Sequence, residues 1–140
     1  MDDELVQFLR DRYDEEHQLA RAAGGAPWEA SVPNMVNVSA SAQREARAFR
    51  ALGYVASTER EEHQRHIARH SPARVLAAIE GDRGVLRQYE EVCAQVRTPV
   101  SAENRAAARI EQGALEDVLR LLALPYADHP AYRERWRPVA

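Results

Sequence analysis

Over residues 2–23 apolar side chains return every three or four positions, and Leu5, Leu9, Tyr13 and Ala20 fall almost on one line with Val6 beside them. That spacing predicts a first helix. Asp2, Asp3 and Glu4 put negative charge where the helix dipole is positive, and Gly24-Gly25 followed by Pro27 stops the helix. Arg12 and Glu16 lie four apart inside the apolar arc, so they are expected to pair or to mark a second contact.

The period is lost over residues 26–57, where Pro27, Pro33 and Asn34 intervene. Met35-Val36-Asn37-Val38 and residues 53–57 read as two short strands that can form a hairpin. Between them, residues 41–52 carry a capping Ser41 and Ala42, Ala46 and Phe49 in phase, which predicts a short helix stopped by Gly53. Thr58 is expected to cap a further helix, with Glu59, Glu61 and Glu62 in its first turn, running to His70.

Ser71-Pro72 opens the next helix, whose apolar stripe is Val75, Ile79, Leu86, Tyr89, Cys93 and Val96, with Asp82 as a polar intruder and Gly81 and Gly84 as points of bending. Thr98-Pro99 ends it. Ser101 caps a helix over 102–123, expected to bury Ala107, Ile110, Ala114, Val118, Leu121 and Leu122; Leu124-Pro125 ends that one, and Asp128 is expected to cap a last short helix with Tyr132 and Trp136. The pattern predicts a mainly α fold. Its core would be an antiparallel bundle of three long helices, with short extra helices and a small two-stranded β element, as a single helical domain over residues 1–140. Tyr126, Tyr132 and Trp136 are the large side chains available to lid a core otherwise rich in alanine.

Composition narrows the function. Of the hydrophobic residues 25 are alanine, which leaves enough large side chains for one modest core. No run approaches the roughly 20 apolar residues of a membrane span, and an acidic start is not that of a signal peptide, so a cytoplasmic protein without membrane contact is expected. The lone Cys93 excludes an internal disulfide and a two-cysteine metal or redox site. All 19 basic residues are arginine, which excludes Schiff-base lysine chemistry and the phosphate-loop lysine.

Three stretches together resemble a known family: MDDELVQFLRDRYDEEHQLARAA with PW shortly after, the central HIARHSPARVLAAIE, and the closing LRLLALPYADHPAYRERWRP. They are similar to small actinobacterial and actinophage proteins grouped as domain of unknown function 6221, over roughly the whole of residues 1–138. The resemblance implies no activity, substrate or cofactor. Many relatives read as aspartate where Ser71 stands and as a charged helix where Gly81-Asp82-Arg83-Gly84 stands. Some carry a Cys- and His-rich metal knuckle where this chain has SAENRAAARIEQGALED, so the resemblance implies that the knuckle's metal is absent here.

Four candidate sites follow from the residues themselves. His63, His66 and His70 fall within about a 60° arc of one helix face with Glu59, and the i, i+4 pair His66 and His70 has the spacing of helical zinc ligands. Glu62, His17, Asp128 or His129 would have to complete a zinc site, and no H-E-x-x-H glutamate stands between the histidines to act as a base. The plainer interpretation is a solvated polar face. Arg44, Arg47 and Arg50, spaced at threes in a locally basic middle, form a second candidate as a ridge for nucleic-acid phosphates, although the acidic chain and the lack of a helix-turn-helix signature weigh against it. Tyr126, His129, Tyr132 and Trp136 form a third candidate, as anchors of a protein interface or, more simply, as the core lid. Asp11, Asp14, Glu15 and Glu16 form an acidic face with no spacing that demands a pocket. No nucleophile setting is visible. The expectation is a non-enzymatic helical protein, without a required cofactor, acting through a protein partner or a second copy, with metal binding or nucleic-acid binding as alternatives.

Overall fold

A computed structural model describes residues 2–31, 34–39 and 53–139. Along these run α1 (Asp3–Ala22), β1 (Trp28–Ser31), β2 (Met35–Val38), β3 (Tyr54–Ser57), α2 (Glu61–Arg69), α3 (Pro72–Arg97) and α4 (Ala102–Ala123), then 3-10 turns at Leu124–Tyr126 and Glu134–Trp136. The chain divides into two compact units, Met1–Glu15 with Glu80–Ala140, and Glu16–Ile79. The helix expected over 41–52 lies outside the described residues.

In the first unit Asp2 caps α1, its Oδ1 accepting the Leu5 N–H at 3.1 Å. Leu5, Val6, Phe8, Leu9 and Tyr13 are buried along α1, Leu86, Tyr89, Val92 and Cys93 along α3, and Ala108, Leu119 and Ala123 along α4. Each large apolar side chain so buried contributes about 1.5–3 kcal/mol. Tyr89 donates to Glu116 at 3.3 Å and Gln112 donates to Cys93 Sγ at 3.2 Å, so residue numbers rise on α3 as they fall on α4 and the two helices run antiparallel. Ser101 caps α4 as expected, accepting the Asn104 N–H at 3.1 Å.

The buried face of α4 is not the expected one. Ala107, Ile110, Ala114, Val118 and Leu121 are exposed and Leu122 is half-buried, whereas Ala108, Leu119 and Ala123 face inward. α4 carries two apolar stripes, and the one next to Gln112 and Glu116 wins because it also reaches Cys93 and Tyr89 of α3 with polar contacts.

The tail differs too. No α-helix follows Asp128 among the described residues; Pro130 removes a backbone donor there, and two 3-10 turns let the aromatic rings turn inward. Of the two roles expected for Arg12, the pair with Glu16 gives way to an ion pair with Glu15 at 3.4 Å, and the second contact is present as its guanidinium against His129 and over the Phe8 ring.

In the second unit α1 ends with Gly24 and Gly25 at φ 99 and 65, their N–H groups donating to Arg21 O and Ala20 O at 2.9 Å. This left-handed exit needs glycine. The sheet has three antiparallel strands in the order β1-β2-β3, not the two expected, with Trp28 opposite Val38, Ser31 opposite Met35, and Val36 opposite Ala56. β1 was hidden by the prolines at either side of it, and Asn34 turns the chain from β1 to β2 at φ 50. Val36, on the central strand, is fully buried. Thr58 does not cap α2: its hydroxyl donates to Asn34 O at 3.3 Å and Arg60 O at 3.0 Å, closing a turn, and α2 begins at Glu61 after an extended Arg60. α2 then docks on the sheet through the buried Gln64, whose Nε2 donates to Ser31 O and, at 2.8 Å, to Met35 O.

Candidate interaction surface

On α4 the residues left outside form a stripe. Ala107, Ile110, Ala114, Val118 and Leu121 follow one another at steps of three and four, with Leu124 just beyond, and all are exposed. Ile110, near the middle of the helix, is 77% exposed and Leu121, in its last turn, 55%, so the stripe leaves large aliphatic side chains open along one face. At its N-terminal end the stripe opens into a cleft of roughly 640 Å³ beside the α3–α4 connection, where Val100 is 92% exposed and Pro99, Ala107 and Ala108 supply apolar lining. The charged side chains of that lining are Glu103 and Glu111, and among the described residues neither makes an ion pair. Sequence periodicity shows the stripe but assigns it to the core, so its availability was missed.

The histidines are arranged differently. His66 and His70 stack, ring centroids 4.3 Å apart at 35°, and the Nδ1 of His70 lies 2.8 Å from His66 O. A carbonyl oxygen only accepts, so Nδ1 is the nitrogen that donates in this contact. His63 is exposed on the same helix, and Glu59 lies ahead of the helix rather than on it. Among the described residues no three or more His, Cys, Asp or Glu side chains are grouped so as to hold a metal ion. His129 is engaged elsewhere, against the guanidinium of Arg12. Arg44, Arg47 and Arg50 lie outside the described residues.

The tail aromatics converge on Phe8. Tyr126, His129 and Tyr132 meet its ring edge-on with centroids 6.3, 5.7 and 6.0 Å away, and Trp136 lies at 5.1 Å. Trp136 is 2% exposed and its Nε1 donates to Asp2 Oδ2 at 3.0 Å. These four residues are therefore directed inward, in the manner of the lid.

Among the described residues burial displaces the titrations of Asp82 and Tyr89. Burial raises the carboxyl of Asp82 above its ordinary 3.8, against the opposing effect of its hydrogen bond with Tyr13. Burial likewise raises the phenol of Tyr89, opposed by the Asp2 N–H and reinforced by Glu116 and Cys93. Neither group lines the cleft beside α4. Cys93 is buried and accepts from Gln112, an environment that keeps a thiol unreactive.

The chain belongs to the family of unknown function DUF6221, whose model matches residues 2–138. Comparison with curated proteins and with solved structures gives no match. No described helix is long and apolar enough to cross a membrane.

Proposed function

We propose that this protein is a non-enzymatic helical module that works by binding another protein chain through the outward face of α4. The observation that carries this reading is the exposure of Ile110 and Leu121 on one face of a helix whose opposite face is already packed. An exposed contiguous apolar surface on a soluble helix is disfavoured unless something covers it. The inward-directed tail aromatics support α4, rather than the tail, as the binding surface. The bundle of long helices serves as the rigid support. A photo-crosslinking amino acid at position 110 of the full chain, activated in cells that make the protein, is expected to give a discrete protein adduct; the same group at Asp11, exposed on α1, is not. Absence of any protein adduct at position 110 would remove this reading.

A further inference from the structure

We infer that the chain seated on α4 is a basic amphipathic helix of a different protein; this rests on the binding role assigned to α4 above. The stripe from Glu103 to Leu124 is about 30 Å long, the length of a helix of about 20 residues. Its shape is a ridge of small and aliphatic side chains, Ala107, Ile110, Ala114 and Leu121, which takes an apolar helical face at i, i+3, i+4 and i+7.

Charge selects the partner. Glu103 and Glu111 flank the apolar lining of the cleft and have no ion-pair partner among the described residues. Asp117 lies on the opposite edge of the stripe from Glu111 and is paired with Arg120 at 3.3 Å, an arginine also held by Glu116 at 2.7 Å. Arg105 and Arg109 project about 100° or more from the centre of the stripe. A partner helix thus meets aliphatic carbon along the middle and free carboxylates at the cleft.

A second copy of α4 fits this poorly. Antiparallel pairing centred on Ala114 sets Ile110 opposite Val118 and Glu111 opposite Asp117, whose own arginine is already shared with Glu116, so Glu103 and Glu111 gain no cation; parallel pairing sets each acid against itself. Like charges across a helix pair are unfavourable. Nucleic acid is refused by the same carboxylates. Arginine or lysine flanking a leucine-rich face satisfies both the apolar ridge and the acids.

The test uses the full chain and a synthetic helical peptide of about 20 residues with leucines on one face and arginines at its borders, and a counterpart with glutamate in place of every arginine. The arginine peptide is expected to bind, with amide shifts confined to α4 and the α3–α4 connection. The double variant Glu103→Gln, Glu111→Gln is expected to weaken it about tenfold, Ile110→Ser at least as much, and a control Asp3→Asn, Asp11→Asn not at all; circular dichroism checks that each variant is folded. Equal binding of the two peptides, or equal loss from the control pair, overturns the inference. So does sedimentation of the chain as a dimer that Ile110→Ser dissociates, which would seat a second copy on α4. A protein adduct at position 110 with no arginine-peptide binding defeats the basic helix alone; no adduct defeats the binding role itself.

Discussion

Asp82 sits on the apolar stripe of α3, where a carboxylate is out of place, and Tyr13 is the side chain that accommodates it. Because burial raises its pKa, the folded state prefers the protonated form. The stability this contributes is fully present below the ordinary value of 3.8 and is lost as pH rises through the raised value. Asp82→Asn keeps an acceptor for Tyr13 and removes the charge. The variant is expected to match the parent in urea unfolding at acid pH and to exceed it modestly at pH 7, the gain being reduced by solvent screening of a half-exposed group. An equal or lower stability at pH 7 would show that the charge is compensated. The intruding residue was visible in the sequence. Its partner was not, because Tyr13 reads there only as one more apolar position of α1.

At the scale of elements, boundaries were legible where punctuation is chemical. Gly24-Gly25, Ser71-Pro72 and Ser101 place helix ends because each supplies a backbone conformation or a capping oxygen that the helix terminus requires. The inward face of α4 was not legible, since two stripes of similar apolarity share the helix and only α3 decides between them. β1 was missed because a strand of four residues, Trp28–Ser31, flanked by prolines is too short to show alternation. Gln64 was missed for a related reason: it sits among the histidines on a helix that reads as polar throughout, yet it is buried and ties α2 to both strands of the β1–β2 hairpin. Gln64→Leu fills much of the same space and leaves the Ser31 and Met35 carbonyls without that donor. A loss of about 1–3 kcal/mol is expected in denaturant unfolding. Hydrogen exchange should quicken in α2 and β1–β2, and unchanged exchange there would mean that the sheet holds α2 without the amide.

At the scale of the whole molecule, the first unit is assembled from the two ends of the chain, and Trp136 is where they meet. Its ring lies on Phe8 and its Nε1 on Asp2, the residue that also caps α1, a contact 134 residues apart in sequence. Arg135 adds an exposed ion pair with Glu4, which contributes little. The large term is burial, so Trp136→Ala is expected to cost about 3–5 kcal/mol. Trp136→Phe retains most of the apolar surface and loses only the donor to a carboxylate, a loss of about 1.5–3 kcal/mol. The chain has only two tryptophans, so the emission of Trp28 remains to follow unfolding of the variants. If Phe proved as costly as Ala, the hydrogen bond to Asp2 would outweigh ring packing in joining the termini. If both were nearly neutral, the tail would be ornamental to the fold and its aromatic face free to separate from Phe8. The predicted order, with Ala well below Phe and Phe below the parent, follows from a buried ring that packs on Phe8 while its Nε1 donates to Asp2.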